Sequence, residues 1–134
     1  MAKTTTFQCT VVTPERPVLD VPATFVAFPA HDGEIGILRN RAPLVCKLGI
    51  GVMRVQTDSG DLRIFVDGGF AQMFRNQLTL LTPYARKPDE VEPAKAEAAL
   101  AQARARPATS DEDIEARQAD VARAKAQLKL AQAR

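Results

Sequence analysis

The sequence has few of the residues from which metal sites and nucleophilic sites are usually built. Its 134 residues include one histidine, two cysteines, one tyrosine and no tryptophan. Cys9 and Cys46 lie in apolar segments, without the Cys-x-x-Cys spacing or the second histidine that a zinc site needs. We therefore expect two small buried side chains rather than ligands or a disulfide, and the sequence predicts no metal and no obligatory cofactor.

Long apolar runs and a strong charge imbalance are also missing. No segment approaches the roughly 20 apolar residues that span a bilayer, and the N-terminus has no signal-peptide core. The net charge of +2 is too small by itself to indicate nucleic-acid binding. These absences predict a protein made and kept in the cytosol, which leaves docking on a membrane complex open.

The composition of the chain changes abruptly near Pro83. All seven glycines and all six phenylalanines precede it, and the remainder is rich in Ala, Gln, Glu, Lys and Arg. The first part favours strands and turns and the second favours helices. We predict a β domain over residues 1–84 and a helical domain over residues 85–134.

Short strands separated by turn signals fill the first part. The expected strands are 7–12, 18–21 (ending at Pro22), 24–28, 34–38, 52–57, 62–66, 70–74 and 77–81. Within the fourth of these, Ile35, Ile37 and Leu38 are expected in the core. Many short strands with close turns are typical of a small antiparallel sandwich or barrel.

Two helices are predicted in the second part. The first begins near Pro93, which suits the first helical position, and runs to about Arg104. Pro107 breaks it, and Ser110 is a good N-cap for a helix that continues to near the C-terminus. A short connection makes an antiparallel hairpin the natural arrangement.

The apolar seam between these helices is thin. Its residues are Ile114, Val121 and Leu128 at seven-residue spacing, Ala124 and Ala131 beside them, and Leu100 with Ala96, Ala99 and Ala103 on the first helix. Alanine buries little area, so the interface is marginal, while both helices have high intrinsic propensity. We therefore expect a hairpin that can open.

Charge is polarised along the last helix. Acidic residues come early, and Arg123, Lys125 and Lys129 follow Val121. One interpretation is that these charges complement the helix dipole on a solvated face. The other is a basic helical tip that meets an acidic partner.

The residues also allow two other functional classes to be considered, an enzyme and a small binding module. His31, beside Asp32 and near Glu34, would be the acid–base candidate of an enzyme, but Asp32-Gly33 is a common turn pair and favours an exposed turn. A small cytosolic β-barrel that binds nucleic acid or another protein is the alternative. Its nucleic-acid version would need aromatic side chains interleaved with Arg and Lys, whereas the phenylalanines here lie in apolar runs.

Several stretches, taken in order, resemble a known family. They are residues 12–16 (VTPER), 29–38 (PAHDGEIGIL) followed by 42–44 (APL), 48–51 (LGIG), 65–70 (FVDGGF), and the Ala-rich helical hairpin. Each motif is short, but the ordered set covers nearly the whole chain. It resembles the epsilon subunit of the bacterial F-type ATP synthase.

This resemblance implies an α+β protein, with an N-terminal antiparallel β-sandwich followed by a C-terminal two-helix antiparallel hairpin. It implies a non-catalytic rotor subunit of the central stalk that couples proton-driven rotation to ATP synthesis. The implied partners are the gamma subunit and the c-ring for the sandwich, and the alpha/beta catalytic head for the helices, with no nucleic acid. The location would be peripheral, on the cytoplasmic side of the bacterial inner membrane.

The resemblance also implies residue roles. Extended helices in the family inhibit ATP hydrolysis through an acidic segment of the beta subunit, which would assign this contact to Arg123, Lys125 and Lys129. The family usually has proline and histidine where this chain has Arg39 and Arg41. We predict that Arg39 and Arg41, with Glu34, face the c-ring.

A second departure concerns regulatory ATP. Some family members bind ATP through an I/L-D-x-x-R-A motif in the first helix, where this chain reads VEPAKA over residues 91–96. Glu92 and Lys95 are then the candidate ATP-binding pair. Their reach and fork geometry differ from Asp and Arg, and Pro93 intrudes between them.

Overall fold

A computed structural model describes residues 5–132, so the predicted domain ends at residues 1 and 134 lie outside the described range. Within that range the chain forms ten strands, a short 3-10 helix over Pro88–Glu90 and two α-helices. The strands are β1 (Phe7–Val12), β2 (Pro17–Ala23), β3 (Phe25–Ala30), β4 (Gly33–Ile37), β5 (Leu44–Lys47), β6 (Ile50–Thr57), β7 (Gly60–Asp67), β8 (Phe70–Phe74), β9 (Gln77–Leu81) and β10 (Ala85–Arg86). The helices are α1 (Pro93–Ala105) and α2 (Asp111–Gln132).

The strands form two five-stranded sheets that pack face to face. The first sheet has the order β2-β1-β9-β8-β5, and the second has the order β10-β7-β6-β3-β4. Neighbouring strands are antiparallel except β1 and β9, which run parallel. The predicted fold class, a β-sandwich followed by two helices, is confirmed.

Alternation of buried and exposed side chains is clearest in the first sheet, which forms one wall of the core. In β8, Ala71 and Met73 are buried while Phe70, Gln72 and Phe74 are exposed. Other fully buried core side chains are Phe28, Ile37, Met53, Leu78 and Leu80. Because side chains alternate between the two faces of a strand, every second residue of a central strand enters this core.

Three details of the predicted strands are wrong. Leu38 is 61% exposed, because β4 ends at Ile37 and Leu38 already belongs to the following loop. Strand β2 continues through Pro22 to Ala23, and Pro22 is tolerated because β2 is an edge strand. Strands β5 and β10 were not predicted, since four-residue and two-residue segments carry too little periodicity to identify.

The helices form a third layer outside the second sheet. Helix α2 lies against β6 and β7, and α1 packs on α2. Both predicted helix starts are confirmed: α1 begins at Pro93, and the Ser110 hydroxyl accepts a hydrogen bond of 3.1 Å from the Asp113 backbone N–H. Layering of this kind gives α2 two apolar contacts, one with α1 and one with the sandwich.

The seam between α1 and α2 is made mainly of alanine. Ala96 and Ala103 of α1 and Ala124 of α2 are buried, whereas Ile114 is 38% exposed and Ala99 is exposed. The inclusion of Ile114 and Ala99 in the buried seam was therefore wrong. Small side chains bring the helices close while burying little apolar area.

Candidate functional site

The outer face of the first sheet is an exposed apolar surface, which we call the open face. It displays Val45, Phe70, Phe74 and Leu81, which are 70%, 55%, 48% and 55% exposed. Phe70 and Leu81 are register partners on β8 and β9, so they lie side by side. Scattered apolar residues on a surface are ordinary, but neighbouring large ones mark a site of interaction.

The outer face of the second sheet is covered instead. Leu130 of α2 is fully buried against Phe65 of β7 and against Val91, which lies between the 3-10 helix and α1. The Tyr84 ring meets Phe65 edge to face with centroids 5.9 Å apart, and the Arg86 guanidinium lies 3.8 Å from the Tyr84 ring centroid. Sequence reasoning missed Leu130, because the seven-residue repeat of α2 pointed to a different face of that helix.

An ion pair joins α2 to the sandwich beside this apolar contact. Arg123 donates from Nε to Asp67 Oδ2 at 2.6 Å and from Nη2 to Asp67 Oδ1 at 3.1 Å. Arg123 also donates to Asp120 at 2.6 Å, and Asp120 accepts from Arg106 at 2.8 Å. The hydrogen bonds from Arg123 to Asp67 raise the pKa of its guanidinium above its ordinary value, so the charge is firmly held.

The three basic residues predicted to contact the catalytic head are placed differently from one another. Arg123 is engaged with Asp67, while Lys125 and Lys129 are exposed on α2. In this conformation Arg123 therefore holds the helices against the sandwich. Lys125 and Lys129 already face outwards.

The structure separates the residues that were predicted to face the c-ring. Glu34 lies on β4, where it accepts a 3.2 Å hydrogen bond from Arg54 of β6. Arg39 and Arg41 lie on the exposed loop after β4. Glu34 is near the start of β4 and the two arginines follow its end, so they lie at opposite ends of this edge strand.

The loop that carries Arg39 and Arg41 is attached to the turn between β8 and β9. Asn40 N–H donates to Asn76 Oδ1 at 2.7 Å, and Asn76 Nδ2 donates back to Asn40 Oδ1 at 3.0 Å. We call this reciprocal pair the Asn clasp. It brings Arg75, which the sequence indicated only as a turn residue, to the same end of the sandwich.

The candidate ATP-binding pair forms its own ion pair. Lys95 Nζ lies 3.5 Å from Glu92 Oε1 at the start of α1, and the side chains are 79% and 68% exposed. Neither side chain lies in an enclosed cavity. His31 lies in an exposed turn, as predicted, at the β3–β4 connection.

Both cysteines are free thiols that contact the core: the prediction of a small buried side chain is confirmed for Cys9, whereas Cys46 is only half-buried. Burial raises the pKa of the Cys9 thiol to about 12, with a further contribution from Asp20, and burial also raises the pKa of Cys46. Across residues 5–132, no group of three or more His, Cys, Asp or Glu side chains could hold a metal ion. None of the helices in that range is long and apolar enough to cross a membrane.

Comparison with known proteins identifies close relatives of the chain. Residues 6–88 match the model of the beta-sandwich domain of the ATP synthase delta/epsilon chain. The ATP synthase epsilon chain of Rhodopirellula baltica is 46% identical over 91% of this chain and 95% of its own length. That of a Synechococcus strain is 40% identical over 95% of this chain and 94% of its own length. The alternative of a nucleic-acid-binding module is not supported by these similarities.

Solved structures show the same fold at lower sequence identity. A chain in the Euglena gracilis mitochondrial ATP synthase structure, described as OSCP/F1/c-ring in rotational state 1, aligns with a TM-score of 0.83 at 20% identity. The alignment covers 98% of this chain and 84% of that chain. A chain of the Tetrahymena thermophila mitochondrial ATP synthase central stalk and c-ring structure aligns with a TM-score of 0.65 at 14% identity, over 94% of this chain and 93% of that chain.

Proposed function

This chain belongs to the ATP synthase epsilon chain family, and we propose that it serves as a non-catalytic rotor subunit of the central stalk. In this role it couples proton-driven rotation of the c-ring to ATP synthesis in the catalytic head. The observation that supports the proposal is that only one of the two outer sheet faces is covered. Helix α2 packs on the outer face of the second sheet, whereas the outer face of the first sheet presents Phe70 and Leu81 to solvent. The subunit works by holding partners together and has no active site of its own.

The open face is the surface that we assign to the gamma subunit. Its large apolar residues lie towards the strand ends, where Phe70 at the start of β8 pairs with Leu81 at the end of β9, and the polar Gln72 lies between Phe70 and Phe74. Aromatic side chains are enriched in protein–protein interfaces, and this face presents two phenylalanines to solvent. Burial against gamma would remove these side chains from water, as α2 does for Phe65 on the opposite sheet.

The side formed by β4 and β5 is the surface that we assign to the c-ring. Glu34 lies on β4, Arg39 and Arg41 lie on the loop that joins β4 to β5, and all three are exposed. Edge strands present unpaired backbone groups, and charged side chains on them disfavour non-specific strand pairing. Through gamma and the c-ring the subunit would sit peripherally on the cytoplasmic side of the bacterial inner membrane.

The helical domain is the part that we assign to regulation. To reach the alpha/beta head, α2 would have to leave the sandwich, which breaks the Arg123–Asp67 pair and exposes Leu130. Release would add Arg123 to the already exposed Lys125 and Lys129, so that all three are available to an acidic segment of the head. The thin alanine seam lowers the cost of this rearrangement, and the extended helices would then inhibit ATP hydrolysis.

Co-purification with the gamma subunit tests the proposal. Phe70→Glu places a charge among the exposed apolar residues of the open face, and we expect it to abolish co-purification with gamma. Ile114→Glu is the matched control, because Ile114 is also an exposed apolar residue but lies on α2. Both variants should melt like the wild-type chain. Retention of gamma by Phe70→Glu and by Leu81→Glu would overturn the assignment of this face.

A further inference from the structure

Two turns that are distant in sequence form one exposed tip at the end of the sandwich. The first is the loop after β4, with Arg39, Asn40 and Arg41, and the second is the β8–β9 turn, with Arg75 and Asn76. The Asn clasp connects them across 36 positions of the chain. Three arginines therefore flank one pair of hydrogen-bonded asparagines.

The backbone at the clasp adopts a conformation that asparagine tolerates better than most residues. Asn40 has a φ of +68°, and Asn76 has a φ of +63°. Asparagine is enriched in the left-handed region because its short polar side chain bonds to nearby groups. The Asn76 carbonyl also accepts a 2.9 Å hydrogen bond from Gln8 N–H, which ties the turn to β1.

The side chains around the clasp are arranged for contact with a partner. The Arg75 guanidinium lies 5.1 Å from the centroid of the Phe74 ring, which limits its freedom, and Arg75 remains exposed. Leu38, at the base of the first turn, is 61% exposed. Pre-ordering of arginines lowers the entropy that binding would otherwise cost.

We propose that Arg75 is a third arginine of the c-ring contact, and that Asn76 is a positioning residue that holds the tip in its binding shape. This inference rests on the proposed function, since it extends the surface assigned to the c-ring beyond β4 and β5. The chemistry that fits three guanidinium groups is a set of carboxylates, which accept paired hydrogen bonds from arginine. The part of the c-ring that meets the tip would therefore present carboxylates.

Lipid phosphate is the other anion within reach of a subunit that sits near a membrane. Protein segments that bind anionic lipid usually contain clusters of about four to eight basic residues. The tip has three arginines, and they stand on two turns that the Asn clasp joins rather than on one continuous basic segment. A protein surface of defined shape fits this arrangement better than a fluid bilayer.

The test measures binding of the full-length chain, in complex with gamma, to c-rings in nanodiscs of neutral phosphatidylcholine. Arg75→Ala removes the third arginine. Asn76→Gly keeps a residue suited to the left-handed backbone but deletes the clasp. Arg104→Ala, an exposed arginine on α1, is the control, and an Arg39→Ala/Arg41→Ala double variant tests the proposed c-ring surface itself.

We expect Arg75→Ala and Asn76→Gly each to weaken binding by about fivefold, the upper range for one exposed charged contact, and Arg104→Ala to leave binding unchanged. Arg75→Ala should also reduce the dependence of binding on sodium chloride, whereas Asn76→Gly should not, because it removes no charge. If the double variant weakens binding but Arg75→Ala and Asn76→Gly do not, this inference fails and the c-ring assignment stands. If none of the three changes binding, both fail.

Vesicles that contain phosphatidylglycerol, without c-rings, provide the second arm. The wild-type complex could bind these vesicles, and Arg75→Ala could weaken that binding as much as it weakens binding to c-rings. This result would show that the tip recognises lipid and would overturn the carboxylate assignment. Equal melting temperatures of all variants establish that the losses are local.

Discussion

Arg123 of α2 and Asp67 at the end of β7 form a two-point ion pair that fastens the helical layer to the sandwich. The two hydrogen bonds measure 2.6 Å and 3.1 Å, and the side chains are 34% and 19% exposed. Arg123 is also one of the residues expected to contact the catalytic head. The same guanidinium cannot make both contacts at once, so a helical domain that contacted the head through Arg123 would first have to break this ion pair.

Replacing Arg123 by alanine should loosen the helical layer without unfolding the sandwich. Hydrogen bonds to charged groups contribute about 1.5–3 kcal/mol when shielded, and less where solvent screens them, so we expect a loss of about 1.4 kcal/mol. That corresponds to about tenfold faster hydrogen exchange in α1 and α2 if these helices open as a unit. The amides of β1, β8 and β9 should exchange at the wild-type rate.

Lys125→Ala is the control for this experiment, because Lys125 lies on the same helix and is exposed. It should leave the exchange rates of both helices within about twofold of the wild-type values. Equal protection of α1 and α2 in Arg123→Ala and in the wild-type chain would show that the apolar contact of Leu130 alone holds the helices.

The fold was predictable where the signal is local. Strand alternation, the turn residues, Pro93 at the start of α1 and Ser110 before α2 are all readable over a few residues, and they identified most elements. The contacts that position the functional surfaces are not local. Arg123 and Asp67 are 56 positions apart, so no periodicity links them.

Leu130 shows a different limit of sequence reasoning. Helix α2 contacts both α1 and the sandwich, so its apolar residues do not lie on a single stripe, and the seven-residue repeat selected Ile114, which is 38% exposed. Which face of such a helix is buried depends on the tertiary arrangement rather than on its own sequence. The Asn clasp was missed for a related reason, because two asparagines in turns carry no sign that they meet.

Gly69→Ala should strongly destabilise the sandwich. Gly69 has a φ of +103°, and a Cβ atom there would lie 2.0 Å from the Leu81 carbonyl oxygen, so the backbone itself would have to move. We expect a loss of about 3 kcal/mol or more in the free energy of unfolding, measured by urea denaturation. Gly68→Ala is the matched control, since Gly68 has a φ of +74° with open space around it. It should cost only about 1 kcal/mol, and equal losses would contradict the steric explanation.

Glu90 lies in the 3-10 helix between the sandwich and α1, and it should make the attachment of this segment to the sandwich sensitive to acid. The Lys87 backbone N–H donates to this carboxylate at 2.9 Å, and this bond, aided by Arg16, lowers the pKa of Glu90 below the ordinary 4.5. A lowered pKa means that the stabilisation is complete above the ordinary value and is lost as the pH falls through the lower value. Glu90→Gln should therefore melt below the wild-type chain at neutral pH, by the equivalent of less than about 1 kcal/mol. The difference should shrink as the pH falls below the ordinary pKa of 4.5 and Glu90 becomes protonated, and a difference that does not change with pH would refute this origin.

The full-length chain should not bind MgATP at physiological affinity. Glu92 and Lys95 pair with each other at 3.5 Å and are largely exposed, and Lys95 offers a point charge where a planar guanidinium would grip phosphate at two points. Isothermal titration calorimetry should give no saturable heat up to about 1 mM nucleotide, with magnesium chloride alone as the blank. Saturation with a Kd below about 0.1 mM would contradict this prediction and would restore Glu92 and Lys95 as ligands.

Removal of the helical domain should raise ATP hydrolysis by the assembled complex. A chain that ends after Lys87 keeps β1 to β10 but lacks Lys125 and Lys129, so it should support rotation without inhibiting the head.

Asp67→Asn should act in the opposite direction, because it frees Arg123 while keeping the basic residues of α2. A loss of about 1 kcal/mol in the closed form changes the ratio of closed to open helices about fivefold, and hydrolysis should fall accordingly. Truncation after Lys87 in the Asp67→Asn background should restore the high rate, since no helices remain to be released. Unchanged hydrolysis after truncation would remove the inhibitory role, while the coupling role of the sandwich would stand.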